Sequence, residues 1–185
     1  MRVSLFARWP EPGRAKTRLI PALGAAGAAD LHRRLTERTV ATVLAAGLPC
    51  EVRSTGANPP VFADWLGPGV TVVDQGDGDL GARLARAAKT LPVLLLGADI
   101  PDLAPHHLHA AVAALADAPA VIGPAEDGGY WLLGLAAPAP QAFVGVDWGT
   151  SSVCEQTLDR LPAGIPQLAT LADLDRPEDL ARWTF

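Results

Sequence analysis

Four cations crowd into eleven residues near the start of the sequence. Arg8, Arg14, Lys16 and Arg18 stand in Arg8-Trp-Pro-Glu-Pro-Gly-Arg-Ala-Lys-Thr-Arg18 against a single acid, Glu11. Pro10, Pro12 and Gly13 make this segment a turning loop. Between a buried strand and a helix, such a loop can wrap an anion with main-chain N–H groups and fixed positive charge. It lacks the G-x-x-x-x-G-K-[ST] spacing of a Walker A loop. A solvated basic loop is the alternative. Against it, the chain has 15 Lys and Arg, 20 Asp and Glu and a net charge of -5, yet gathers cations here.

A second chemical candidate is Asp99. Val93-Leu-Leu-Leu96 is a continuous apolar run of the kind buried on both faces of a sheet, and Gly97 ends it. Pro101 cannot donate to a sheet ladder, so the chain leaves the sheet here. Asp99 then falls at the carboxyl end of a central strand, where open α/β sheets bind ligands. Capping of the following turn is the plainer role for the same residue.

Three further patterns compete for a function. Gly76-Asp-Gly-Asp-Leu-Gly81 matches G-x-G-x-x-G, but Asp77 and Asp79 would bring negative charge to a pyrophosphate. Asp127-Gly-Gly-Tyr130 is either a hairpin turn or a carboxylate aimed into a cleft beside flexible backbone. Asp173 and Asp175 could add oxygen ligands for a hard cation, with Asp175 equally suited to capping a helix. His32, His106, His107 and His109 have no partners at ligand spacing, and no Ser-His-Asp or Cys-His set assembles.

The elements that must position these residues alternate. Strands are predicted at Val3–Ala7, Cys50–Ser54, Val70–Val73, Val93–Leu96, Val121–Ile122, Tyr130–Leu135 and Gln167–Leu171. Apolar stripes predict helices through Ala28, Leu31, Leu35, Val43 and Leu44, through Leu80, Leu84, Ala87 and Leu91, and through Leu108, Val112 and Leu115. Asn58-Pro-Pro reads as a loop. Ser152 with Glu155, and Asp175 with Glu178, have capping-box spacing, which predicts helices running to about Leu161 and Trp183. The pattern is that of an α/β three-layer sandwich with a mainly parallel central sheet. One domain over residues 1–185 is expected.

The acidic balance argues against a nucleic-acid polymer or an acidic membrane surface as partner. Cys50 and Cys154 form no disulfide framework. Arg8 and Arg14 interrupt the apolar start before a signal sequence develops, and no apolar run is long enough to cross a bilayer, so a cytoplasmic protein is expected.

Six segments carry a resemblance: Phe6-Ala-Arg-Trp-Pro-Glu-Pro-Gly-Arg-Ala-Lys-Thr-Arg-Leu19, Gly81-Ala-Arg83, Gly97-Ala-Asp-Ile-Pro101, Gly123-Pro-Ala-Glu-Asp-Gly-Gly-Tyr130, Trp148-Gly-Thr150 and Asp173-Leu-Asp-Arg-Pro-Glu-Asp179. In this order they resemble the DUF2064, or radical-SAM/selenodomain-associated transferase 1, family. That family is similar to the nucleotide-diphospho-sugar transferases of the GT-A fold and, more distantly, to phospholactate and molybdenum-cofactor guanylyltransferases. The resemblance implies a nucleotide held by the first loop at Ala7, Arg8, Gly13, Arg14, Lys16, Thr17 and Arg18, with Lys16 and Arg18 near its phosphates. It also implies Asp79, Gly81 and Arg83 near the base or ribose, and Asp99 coordinating Mg²⁺ or Mn²⁺. Asp-Ile-Pro-Asp departs from the Asp-x-Asp of many glycosyltransferases.

The charge pattern bears on which transfer occurs. No Lys or Arg lies between Lys89 and Arg160, a span holding Asp127, Tyr130, Trp131 and Trp148. A phosphorylated acceptor beside an anionic donor normally needs such cations. Tyr130 and Trp148 instead suit an uncharged, hydroxylated small molecule, with Trp131 assigned to the core. Asp127 is then the expected base and Lys16 an expected stabiliser of the leaving diphosphate. Glycosyl transfer from a nucleotide sugar is favoured. Nucleotidyl transfer from a nucleoside triphosphate and non-catalytic nucleotide binding are the alternatives.

Overall fold

Alternation along the first strand decides the layering. The computed structural model describes residues 1–183. In β1 (Arg2–Arg8), Val3, Leu5 and Ala7 are buried under one layer of helices, while Phe6 packs with the cluster on the other face. β4 (Val93–Gly97) splits the same way: Leu94 and Leu96 join the first cluster, Val93 and Leu95 the second. The predicted two-sided burial of this run is what the structure shows.

The other strands are β2 (Cys50–Thr55), β3 (Val70–Asp74), β5 (Ala120–Pro124) and β6 (Tyr130–Leu135). They form one sheet in the order β3-β2-β1-β4-β6-β5. β3, β2, β1 and β4 pair in parallel, and β6 runs antiparallel to both β4 and β5. The helices are α1 (Ile20–Ala45), α2 (Pro59–Leu66), α3 (Leu80–Ala87), α4 (Pro105–Asp117) and α5 (Val153–Leu158). Val43 of α1, Phe62 of α2 and Leu108 of α4 cover one face of the sheet. Leu84 of α3, with Phe143 and Leu161, covers the other. This is the expected three-layer α/β sandwich with a mainly parallel sheet. Among the described residues no helix is long and apolar enough to cross a membrane.

Four local expectations are corrected. A helix, α2, begins where Asn58-Pro-Pro predicts a loop; Pro59 and Pro60 occupy its first positions, which need no intrahelical N–H. Gln167–Leu171 is not a ladder strand: it makes only isolated bridges, Gln167 with Ile122 of β5 and Leu171 with Ala125 just beyond it. Between them Ala169 gives its carbonyl to Trp131 Nε1 at 3.1 Å. Ser152 has helical dihedrals and no side-chain cap, so the first capping box does not form and α5 stops at Leu158. In the second, Asp179 rather than Glu178 does the capping. Its carboxylate accepts from the amides of Asp175 and Arg176 at 3.0 and 2.7 Å, and the Asp175 side chain is left free to turn elsewhere.

Candidate active site at the strand ends

The basic loop leaves the carboxyl end of β1 and folds back on itself. The amides of Arg14 and Ala15 both donate to the Glu11 carbonyl, Gly13 adopts a left-handed φ of 82°, and buried Ala15 anchors the turn. Lys16 is also left-handed, with φ 47°, the sole non-glycine residue so placed among those described. This conformation sends its side chain inward, where it is 3% exposed. Thr17 and Arg18 open a 3₁₀ turn whose first amides have no intrahelical acceptor. Upstream, the Ala7 carbonyl accepts from Gln75 Nε2 and the Arg8 carbonyl bonds His32 Nε2 at 3.0 Å.

A strap from the far end of the sequence completes the site. The Leu171 amide donates to Pro124 O, and the Leu174 amide donates to Asp99 O at 2.9 Å. Lys16 Nζ donates to Leu174 O at 2.5 Å and lies 3.0 Å from Asp99 Oδ1 and 3.5 Å from Asp175 Oδ1. Arg18 Nη1 meets Asp175 Oδ2 at 2.5 Å. Asp99 and Asp175 thus share cations brought from the first loop.

Two adjoining chambers result. A polar one of about 340 Å³ is walled by Arg8, Arg14, Lys16, Thr17, Arg18 and His32. A larger one of about 370 Å³ is walled by Phe6, Leu80, Leu84, Tyr130 and Trp148, with Asp127 and Asp173. Arg18, Asp99 and Asp175 line both. Burial of His32 lowers its pKa below the ordinary 6.5, a shift that nearby Asp99 opposes.

Asp127 is both a turn residue and a cleft residue. Its Oδ1 accepts from the Gly129 amide at 2.8 Å, closing the β5–β6 connection, and its carboxylate lines the larger chamber. Gly128, with φ 87°, packs so closely on Ser151 that a Cβ would lie 2.1 Å from the Ser151 carbonyl oxygen. Asp173 shares this chamber. Burial, and then the charge of Asp127, push its carboxyl above the ordinary 3.8.

The aromatic residues divide their roles. Trp131 is 2% exposed and belongs to the core, as expected, with only part of its surface reaching the larger chamber. Tyr130 presents its ring to that chamber, but its hydroxyl is buried beside Thr157 and burial raises its pKa. Trp148 lies against Gly81: a Cβ there would sit 2.7 Å from Trp148 Nε1 and 2.6 Å from Phe143 O.

Gly81 therefore answers to packing, and its neighbours are also engaged internally. Asp79 caps α3 by accepting from the Ala82 amide at 2.8 Å. Arg83 donates to Gly78 O and Gln75 Oε1 at 3.0 and 3.1 Å. Neither side chain lines either chamber, whereas Leu80 and Leu84 line the larger. The G-x-G-x-x-G match has the same character, for Gly76 lies under the Arg86 guanidinium. Phe6, Leu80 and Leu84 had no chemical signal in the sequence, since apolar residues that line a cleft look like core.

The donors near Lys16 suit a hard divalent ion. Asp99 Oδ1, Asp175 Oδ1 and Leu174 O already converge on one cationic nitrogen, and all are oxygen ligands of the kind Mg²⁺ and Mn²⁺ prefer. Among the described residues no group of three or more His, Cys, Asp or Glu forms a ready cage. Such an ion would rely on these few protein oxygens, completed by phosphate and water.

The model of a family described as "Uncharacterized protein conserved in bacteria (DUF2064)" matches residues 32–150. Among solved structures, a protein of Desulfovibrio desulfuricans G20 provisionally named a nucleotide-diphospho-sugar transferase is 31% identical. The match covers 95% of this chain and 84% of that one at a TM-score of 0.86. A Mycobacterium tuberculosis H37Rv protein in complex with manganese shares the fold at 18% identity and TM-score 0.58, covering 98% of this chain and 97% of that one. So does the 2-C-methyl-D-erythritol 4-phosphate cytidylyltransferase of Thermus thermophilus, at 20% identity and TM-score 0.55, covering 98% and 97%. No curated protein matches the chain.

Proposed function

The chain belongs to the DUF2064 family, and from that premise we propose that it is a transferase using a nucleotide-activated donor, most specifically one that moves a glycosyl group from a nucleotide sugar to a small uncharged hydroxylated acceptor. The distribution of charge between the chambers carries this reading. The polar chamber offers Arg8, Arg14, Lys16 and Arg18 to a diphosphate. The larger chamber has one cation, Arg18, and that is held by Asp175. A phosphorylated acceptor would meet Asp127 and Asp173 there, with far less positive charge to offset its own than the polar chamber offers.

In this reading the donor diphosphate lies in the basic loop, with Arg18 and the free amides of Thr17 and Arg18 as hydrogen-bond donors. Asp99 and Asp175 would hold Mg²⁺ or Mn²⁺, which when bound stabilises negative charge on the departing diphosphate. The nucleoside would rest on Leu80 and Leu84. Asp79 and Arg83 would shape that wall through the α3 cap and the Gln75 contact. The acceptor would lie against Tyr130 and Trp148, its hydroxyl near Asp127. Gly129 occupies Oδ1 of Asp127, so Oδ2 is the atom available to take the acceptor proton. The acceptor oxygen then bonds to the anomeric carbon as the bond from that carbon to the diphosphate oxygen breaks.

The fold shared with a cytidylyltransferase favours one other reading, nucleotidyl transfer. Incubation with nucleotide sugars and with nucleoside triphosphates, each with Mg²⁺ or Mn²⁺ and panels of neutral and phosphorylated alcohols, separates them. Glycosyl transfer predicts nucleoside diphosphate release that depends on a neutral alcohol. Pyrophosphate release with a phosphorylated acceptor, and no diphosphate from any nucleotide sugar, would overturn it. Tight nucleotide binding without any product would make the chain a binding module.

A further inference from the structure

Lys16 is saturated. An ammonium has three N–H donors, and Nζ already faces three oxygens: Leu174 O at 2.5 Å, Asp99 Oδ1 at 3.0 Å and Asp175 Oδ1 at 3.5 Å. In this arrangement its near partners are protein oxygens, one by hydrogen bond and two by ion pairing, and not a phosphate. It also sits at the point where a divalent ion shared by Asp99 and Asp175 would have to enter. Two cations cannot occupy one point, and two carboxylates facing one another need a cation there.

We infer that Lys16 is the resident stand-in cation of the Asp99–Asp175 pair, displaced by the divalent ion and thereby released to the donor phosphates. This rests on the metal-dependent reading above. Two observations support the exchange. Asp99 is 45% exposed, so an incoming ion has access to the carboxylate that Lys16 covers from within. Lys16 holds a left-handed conformation at φ 47° and ψ 46°, which is unfavourable for a non-glycine residue, and strain of this kind collects at sites that switch or clamp. The four-carbon stem can swing the ammonium without moving the backbone. Metal and nucleotide should then bind cooperatively, because phosphates offer the displaced ammonium a new partner while the metal takes over the carboxylates it left.

Mn²⁺ alone, titrated into the protein and followed by the electron paramagnetic resonance of the free ion, tests the exchange. Lys16→Met should bind Mn²⁺ more tightly than the parent, by roughly the 5–150-fold typical of coupled sites, and Asp99→Asn should abolish binding in both backgrounds. Equal or weaker Mn²⁺ binding by folded Lys16→Met overturns the stand-in role. Absence of Mn²⁺ binding in the parent and in Lys16→Met, with or without a nucleoside diphosphate, overturns the metal-dependent reading as well. The parent supplies a second readout if Lys16→Met does not fold. Its Lys16 ammonium protons should be slow to exchange in ¹H–¹⁵N spectra, and their signal should move on saturation with Mg²⁺ and a nucleoside diphosphate. A signal unmoved at saturation overturns the inference.

Discussion

In the polar chamber every carboxylate meets a cation: Asp99 is paired with Lys16, and Asp175 with both Lys16 and Arg18. In the larger chamber Asp127 is bonded to a backbone amide, and Asp173 is half-buried with its proton affinity raised by burial and by Asp127. Neither Asp127 nor Asp173 has an ion-pair partner among the described residues. The same strand edge thus builds one compartment that attracts a polyanion and another that repels one. A bound molecule lying across both should have a strongly anionic end and an uncharged end.

Substitutions can break this contrast one side at a time. Asp99 faces both compartments, so Asp99→Asn should have the largest effect. Changing even the outer partners of metal ligands costs about 10–100-fold, and a direct ligand should lie at or beyond the top of that range. Calorimetry with a nucleoside diphosphate and Mn²⁺ should show metal-dependent affinity gone while the fold persists. Undiminished, metal-sensitive binding would remove Asp99 from the site.

Arg18→Ala should weaken the same binding by about 1.5–3 kcal/mol, the worth of a charge-assisted hydrogen bond. Since the side chain is more than half exposed, the loss should shrink in high salt. A loss independent of salt would mean that packing, and not charge, links Arg18 to the nucleotide.

Trp148→Ala acts on the other compartment. It should raise the acceptor KM about 2–12-fold, the equivalent of the ~0.5–1.5 kcal/mol specific share of an aromatic contact, and leave nucleotide affinity unchanged. Weaker nucleotide binding of the same size would place the Trp148 ring against the nucleoside and not the acceptor.

The smallest effect is on stability. Asp173 has a raised folded-state pKa, so its ionisation disfavours the folded state at neutral pH. Asp173→Asn should raise Tm at pH 7, and the gain should fade as pH falls through the raised pKa and vanish below 3.8, where the parent is protonated in both states. Partial exposure screens the charge, so roughly 1–2 °C is expected, below the ~2–4 °C that 1 kcal/mol brings at this size. A gain independent of pH would assign the effect to something other than charge.

The legible parts of the molecule are those whose pattern is local. β4 could be read because two-sided burial leaves an unbroken apolar run, β1 because only Ser4 interrupts one, and the basic loop because its composition contrasts with an acidic chain. At Asp127 the turn and the cleft coincide, since one carboxylate oxygen accepts from the Gly129 amide and the residue also lines the larger chamber. The strap from Leu171 to Arg176 was not legible, because partners at Pro124, Asp99 and Lys16 set its path. Read locally it suggests a strand and a capping box. The 76–81 glycines misled for a related reason: Gly76 makes room for Arg86 and Gly81 for Trp148, so side chains elsewhere explain a spacing that resembles a phosphate loop. α2 was hidden because two prolines that begin a short helix look the same as two that end one.

The contact between Lys16 and Leu174 joins residues 158 positions apart. A growing polypeptide therefore displays its basic loop and Asp99 well before the segment that clasps them has been translated. Until that segment arrives, Asp99 and Lys16 lack the Leu174 backbone bonds and Asp175 that organise them. Under the proposed function, ligand capture would belong to the finished protein and not to its nascent intermediates. The clasp closes a very long loop, so it should form late in folding and be among the first contacts to open under mild denaturant.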